Sequence, residues 1–336
     1  MSGNVFWLLF FLCLVVIFLA GRQLSIFGDR LGDETGLGGS WVGIAILSTV
    51  TSLPELMTGI SSVSLAMTPE IAVGDVFGSC AFNIGLLVLV HLVTRRETPL
   101  FAQIGDRHVL PAAFGVMMMG IVTLELMSRQ LGLSGSLFGV GPSVPVVVGL
   151  YVIGIRMVFR AASDRATVDD GTAPRAPGVQ RSTLIGLVVS ALFVIAGGTA
   201  LPFIGSQIAA LMGWNESFVG TMLIATATSA PEIAVTLAAA RMGALDLAVG
   251  NVFGSNMFNI VILALDDIFY HRGPLLADVS LAHAASAVTA MVMTGMAIAA
   301  MSYRRASGAS LAIISLDIGL VLLFVGNAVL VFNLGH

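Results

Sequence analysis

One segment of this chain is written twice, and that repetition constrains the fold more than any other feature. The first copy reads T-V-T-S-L-P-E-L (Thr49 to Leu56), followed by G-D-V-F-G-S-C-A-F-N-I (Gly74 to Ile84). The second reads T-A-T-S-A-P-E-I (Thr226 to Ile233), followed by G-N-V-F-G-S-N-M-F-N-I (Gly250 to Ile260). Glu55 and Glu232 each sit in an apolar stretch, directly after a hydroxyl pair and a helix-breaking proline. A carboxylate at membrane depth is costly and marks a functional site by default. Two of them, in matching surroundings, point to a cation site assembled from two halves.

The membrane setting follows from composition. Hydrophobic residues make up 57% of the chain and charged residues 10%, where a soluble domain carries about 25% charge. The mean hydropathy is +0.99. Stretches of roughly 20 apolar residues, each enough to cross a bilayer core as a helix, recur along the chain. The pattern predicts an all-α membrane protein of ten spans, near 4–20, 41–65, 70–93, 108–127, 137–159, 183–204, 217–240, 245–268, 279–301 and 310–333. The first stretch lacks a basic leader, so it reads as a retained span rather than a signal peptide. Residues 160–182, rich in Pro, Gly and charge, read as a cytoplasmic linker between a first half (1–159) and a second half (183–336) of five helices each. Cys13 and Cys80 both fall in apolar spans and suggest neither a disulfide framework nor a metal cluster.

Arginine placement sets the orientation. All 15 basic residues are Arg; thirteen lie in or beside loops that follow odd-numbered spans, and only Arg129 and Arg272 follow even-numbered ones. The positive-inside rule then puts the odd loops in the cytoplasm and both termini outside, in an inner (plasma) membrane. With five spans per half, the repeated segments (about 41–93 and 217–268) run in opposite directions through the membrane. Such inverted repeats are a common plan for carriers that bind substrate at the midplane. Duplicated small-residue motifs could also serve helix packing alone, but packing does not call for a Glu at the same place in both copies.

The chemistry of the motif is that of a hard-cation site. Pro54 and Pro231 lack an amide hydrogen and clash with the preceding turn, so each helix breaks near Thr51–Ser52 and Thr228–Ser229. Backbone carbonyls freed inside a membrane are tolerated where they line a cavity. Thr51 and Glu55, like Thr228 and Glu232, are four residues apart and share a helix face. Carbonyls, hydroxyls and carboxylates form an oxygen-only set suited to Ca²⁺ or Na⁺. On the partner helices, Asp75, Ser79 and Asn83, and Asn251, Ser255 and Asn259, recur every four residues as polar stripes. Gly74, Gly78, Gly250 and Gly254 read as close-packing positions rather than ligands.

These residues resemble the sodium/calcium exchanger branch of the cation/calcium antiporter superfamily, whose repeats look like T-S-L-P-E followed by G-N-x-x-G-S-N-x-x-N. The resemblance covers about 90 residues, both repeats, and it implies Ca²⁺/Na⁺ antiport by alternating access. The positions it implicates in ion binding are Thr51, Ser52, Glu55, Ser79, Asn83, Thr228, Ser229, Glu232, Ser255 and Asn259. It implies no cofactor, inorganic cations as cargo, a lipid bilayer as surroundings and no nucleic-acid partner. Three departures stand out. Cys80 replaces the Asn of G-S-N in the first copy, Asn259 sits where some relatives carry Asp, and Asp75 replaces the Asn after Gly74. Asp75 reads as a cation-attracting group at an outer entrance or as a carboxylate placed to favour the helix start.

Other readings have clear discriminators. A cation/H⁺ exchanger for Ca²⁺ or another divalent such as Mg²⁺ would show a pH-driven, Na⁺-independent flux. A channel would pass current without a counter-ion. Enzymatic function finds no support, because neither H-E-x-x-H nor a Ser/His pairing is present, and the absence of G-x-x-x-x-G-K-[ST] argues against an ATP-driven pump. Asp266 and Asp267, at the end of a span, read as anchoring residues; Glu125 and Asp317 are expected to find partners across helices.

Overall fold

Every regular element of the structure is helical, as expected of a chain that must close its backbone hydrogen bonds without water. The computed structural model describes residues 3–35, 47–94, 104, 106–133, 135–166, 178–302 and 310–334. The start of the expected second span (41–46), the middle of the linker (167–177) and Arg95, Arg96, Arg175, Arg304 and Arg305 lie outside the described residues. Among the described residues there is no strand, only an isolated bridge between Leu137 and Val140.

The helices in order are α1 (Gly3–Thr35), α2 (47–51), α3 (Leu53–Ser61, continued as a π-turn over Ser62–Ala66), α4 (Pro69–Thr94), α5 (Val109–Gln130) and α6 (Ser143–Ala166). They continue with α7 (Arg181–Met212), α8 (Glu216–Thr228), α9 (Ala230–Arg241), α10 (Leu245–Phe269), α11 (Ala282–Ser302) and α12 (Ser310–Leu334). Eight of the described helices are long and apolar enough to cross a membrane, and α8 with α9, bent by 47° at their junction, make a ninth. The chain is therefore a multi-pass, all-helical membrane protein. The region of the expected second span is helical from residue 47 as α2, α3 and the π-turn, but it is not among the helices long and apolar enough to count as a span. Helix α6 runs through Ala166, so the first residues of the expected linker are helical.

Burial sorts the helices. α4 and α10 are the most enclosed, while α1 and α12 lie at the periphery with apolar side chains such as Leu8, Phe11 and Leu322 turned outward. The short helices of the two copies cross over: α3 packs on both α4 and α10, and α9 packs on the same two helices. Helix α1 lies along α7 and also contacts α9. The contact between α4 and α8 is backbone against backbone. A Cβ placed on Gly74 would meet Ser217 O and Thr221 N at 3.0 Å, and Gly220 Cα at 3.1 Å.

The two helix breaks share one geometry. Ser52 (φ −85°, ψ 13°) joins α2 to α3, and Ser229 (φ −77°, ψ 8°) joins α8 to α9. Each sits in the sparsely populated bridge region, common among active-site residues. Pro54 and Pro231 fall within the first two positions of the following helices, where a missing amide leaves nothing unsatisfied. Thus the T-S-x-P-E sequence ends one helix at Ser and starts the next with the Glu in its first turn, in both copies. Both broken helices also carry a π-helical turn nearby, over Ser62–Ala66 and Val219–Ile224, a feature common at functional sites.

Candidate functional site

The glutamates sit in the first turns of α3 and α9, where the positive end of each helix dipole favours a carboxylate. Both are fully buried. Each is held by a serine from the opposite copy. Ser229 Oγ donates to Glu55 Oε1 at 3.0 Å, and Ser52 Oγ donates to Glu232 Oε1 at 3.1 Å. The partner helices add a longer contact each: Ser79 Oγ to Glu55 Oε1 at 3.5 Å and Ser255 Oγ to Glu232 Oε1 at 3.4 Å. Ser229 and Ser79 hydroxyls are themselves 3.0 Å apart. The breaks at Ser52 and Ser229 thus place each serine beside the glutamate of the other copy, a cross-linking that ties the two half-sites together.

The threonines also reach across. Thr51 Oγ1 lies 3.4 Å from both Asn251 Oδ1 and Ser255 Oγ, while Thr228 Oγ1 donates to Asp75 Oδ1 at 2.8 Å. Asp75 is fully buried and also accepts from Ser79 at 3.5 Å. Its hydrogen bonds thus link it to a residue of each copy, Ser79 and Thr228. Asn83 Nδ2 donates to Asn256 Oδ1 at 3.1 Å, and Asn256 Nδ2 donates to the Cys80 carbonyl at 3.0 Å. Asn259, beside the Cys80 thiol, leaves both its amide atoms without a hydrogen bond of normal geometry. All ten residues implicated by the resemblance are buried.

The orphaned atoms are as informative as the bonded ones. Glu55 Oε2, Glu232 Oε2, Asp75 Oδ2, Asn83 Oδ1 and Asn259 Oδ1 are buried without a hydrogen-bond partner. Buried polar groups in folded proteins are nearly always satisfied, and an uncompensated buried carboxylate is among the most expensive groups to hold. Such oxygens are ones that a dehydrated cation would satisfy. Among the described residues no group of three His, Cys, Asp or Glu converges as a resident metal site would require. Carboxylate, amide and hydroxyl oxygens suit a hard cation.

Sequence reasoning did not single out Asn256, whose counterpart in the first copy is Cys80, and it read Asp266 only as an anchor beside Asp267. Asp267 anchors as expected, accepting from the amides of Gly141 and Leu275 at 2.6 Å each. Asp266 does not: it is fully buried and both its oxygens lack a partner. Glu125 meets Arg129 on its own helix and the Ser143 amide, and Asp317 pairs with His91 of α4.

Comparison with known proteins gives the wider setting. A family described as "Sodium/calcium exchanger protein" matches residues 5–160 and 182–332. "Inner membrane protein YrbG" of Escherichia coli is 30% identical over 268 residues, covering 74% of this chain and 75% of its own. "Sodium/calcium exchanger MaX1" of Methanosarcina acetivorans is 44% identical over 87 residues, 25% of this chain and 24% of that one. Among solved structures, the "H+/Ca2+ Exchanger CAX" superposes with a TM-score of 0.69 at 16% identity, covering 98% of this chain and 86% of its own. At that identity the likeness is one of fold.

Proposed function

From the premise that this chain belongs to the sodium/calcium exchanger family of membrane antiporters, we propose that it exchanges Ca²⁺ for Na⁺ at the two-glutamate site. The observation that carries this reading is the crossed pair Ser229–Glu55 and Ser52–Glu232, each carboxylate keeping one buried oxygen unpaired. Two carboxylates offset the charge of one Ca²⁺. Hydroxyls of Thr51, Thr228, Ser79 and Ser255 and the amide oxygens of Asn83 and Asn259 supply neutral ligands of the kind a hard cation takes. Na⁺ would compete for the same oxygens, which is what antiport requires: one site, emptied of one ion by the other.

The proposed architecture is two five-helix halves of inverted orientation, the first over 1–159 and the second over 183–336, joined by the 160–182 linker. The arginine bias supports both termini outside. Transport follows as alternating access: α1, which lies on α7 and touches α9, would shift against the α3–α4–α9–α10 core. Asp75 is proposed as a third carboxylate of the site, reached from the outer side.

H⁺ coupling is the second reading, and Asp75 is the observation that favours it. One Ca²⁺ offsets two carboxylates, and a third at the same locus then asks for a proton or a monovalent ion.

The test is ⁴⁵Ca²⁺ uptake into Na⁺-loaded proteoliposomes diluted into Na⁺-free buffer, with Glu55→Gln and Glu232→Gln alongside. Uptake that needs the Na⁺ gradient and is lost in both variants is the expected result. Uptake driven by a pH gradient without Na⁺ selects the proton reading. Uptake retained in either variant overturns the two-glutamate site.

A further inference from the structure

Asp266 lies seven residues beyond Asn259 on α10, about 10 Å along the helix at 1.5 Å per residue. It is fully buried, and neither carboxylate oxygen has a protein partner. Its carboxylate lies against the bare backbone of Gly59, one turn beyond Glu55 on α3; a Cβ on Gly59 would come within 2.4 Å of Asp266 Oδ2 and 2.5 Å of Oδ1. The charges acting on Asp266 are Asp75, across on α4, and its neighbour Asp267. Arg129 and Glu125 act on Asp267 instead, so the described structure shows no basic side chain offsetting Asp266.

The duplicated segments show what is unusual here. Counted from the shared motifs, the second-copy equivalents of Gly59 and Asp75 are Thr236 and Asn251, and the first-copy equivalent of Asp266 is Val90. In the second copy, Asn251 Nδ2 donates to Thr236 Oγ1 at 3.3 Å, a neutral pair that satisfies itself. In the first copy the same junction has Asp75, no side chain at position 59, and the Asp266 carboxylate in the space. A self-satisfied neutral contact has become a pair of carboxylates with three unpartnered buried oxygens: both of Asp266 and Oδ2 of Asp75.

We infer that Asp266 and Asp75 hold one monovalent metal cation of the Na⁺ kind, a second site beside the central one. The argument rests on the exchange reading above for its role as a coupling ion, but the site stands on its own geometry. Two buried carboxylates without a counter-charge are not sustainable; one monovalent cation offsets one of them and a shared proton the other. Three available oxygens fall well short of the six to eight that Ca²⁺ takes, which disfavours Ca²⁺ as the occupant. On the proposed orientation the junction lies on the outer side of the glutamates, with no matching station on the inner side.

The experiment is thermal melting of the purified full chain in detergent, titrated with NaCl at constant ionic strength (choline chloride replacement) and separately with CaCl₂. The variants are Asp266→Asn, Gly59→Ala and Glu55→Gln. A bound ion raises the melting temperature by mass action. The expected result is that Asp266→Asn lowers the Na⁺ linkage by one ion and keeps the Ca²⁺-induced rise, which also certifies its fold. Gly59→Ala, which pushes a methyl into the carboxylate, is expected to do the same. Na⁺ linkage equal to wild type in Asp266→Asn overturns the site, as does a variant altered in pH response alone, which would mean proton occupancy. A wild type indifferent to Ca²⁺ sinks the central-site reading instead, and Glu55→Gln separates the two because it should lose the Ca²⁺ rise while retaining the Asp266-dependent Na⁺ rise.

Discussion

The packing of α4 on α8 makes a sharp prediction, because two glycines on one helix should respond to the same substitution with opposite sign. A Cβ on Gly78 would fall 2.3 Å from Thr221 O and 2.8 Å from both Thr221 Cα and Ala225 Cβ. Real Cβ contacts essentially never close below 3.0 Å, so Gly78→Ala must part the helices by at least 0.7 Å, the difference between that limit and 2.3 Å. Two of the three opposing atoms are backbone and cannot swing aside. Overpacking of this kind costs typically 1–3 kcal/mol, occasionally more, offset by roughly 1 kcal/mol of helix propensity for Ala over Gly. A net loss of up to about 2 kcal/mol is expected. Gly85, seven residues along α4, has nothing within 4 Å of an added Cβ; there Gly85→Ala should gain up to about 1 kcal/mol. The parting also reaches the site. Thr228 Oγ1 to Asp75 Oδ1, now 2.8 Å, would stretch to roughly 3.5 Å, past the normal hydrogen-bond range. The assay is unfolding of the two purified variants in detergent, followed by intrinsic tryptophan fluorescence, with Ca²⁺ uptake measured alongside. Gly78→Ala should melt below wild type with weakened uptake, and Gly85→Ala at or above wild type with normal uptake. Equal melting of the two variants would refute the claim that α4 and α8 meet through their backbones.

The crossed serines and the anchoring aspartate make two further predictions. Ser52→Ala and Ser229→Ala each remove a hydroxyl that positions the opposite glutamate; hydrogen bonds to charged groups are worth about 1.5–3 kcal/mol, so half-saturating Ca²⁺ in uptake should rise at least tenfold in each, and an unchanged value would contradict the cross-linked geometry. Asp267→Asn weakens the bonds to the Gly141 and Leu275 amides and should lower the melting temperature while leaving half-saturating Ca²⁺ at the wild-type level; a large shift in Ca²⁺ dependence would show that Asp267 acts on the ion rather than on the loops.

The breaks in the spans were legible because proline chemistry is local. Pro54 and Pro231 dictate where helices can restart, and Ser52 and Ser229 adopt the same backbone conformation. Which helix lies opposite was not legible. The four-residue spacing sets Thr51 beside Glu55 on one face, yet Thr51 turns to Asn251 and Ser255 of the other copy, because α3 packs on α10. A linear pattern carries helix periodicity but not the partner across the gap. Asn256 escaped for a related reason. The first copy has Cys80 there, so comparing copies marks a difference rather than a role, whereas in the fold the two positions meet: Asn256 Nδ2 bonds the Cys80 carbonyl. Asp266 was read together with Asp267 because they are adjacent. Adjacent residues point about 100° apart on a helix, and so one reaches the loop amides while the other faces the core.

The departures between the copies have a logic that a list of differences would hide. On the proposed inverted architecture, two equal half-sites would give a carrier no means of treating the two membrane faces differently. The three changes at the Gly59 junction make sense only together. Asp266 needs the space that a threonine at 59 would fill, as the 2.4 Å approach to a Cβ there shows. Gly59 with a valine in place of Asp266 would leave Asp75 Oδ2 facing apolar surface, and Asp266 with an asparagine at 75 would be a lone buried carboxylate facing a neutral amide. Each substitution is unfavourable alone and tolerable as a set, provided that a cation completes it. The neutral Asn251–Thr236 pair shows how the same junction closes when no ion is required. On the proposed inverted orientation, a junction that takes a cation on one side and none on the other would give the duplicated scaffold a direction.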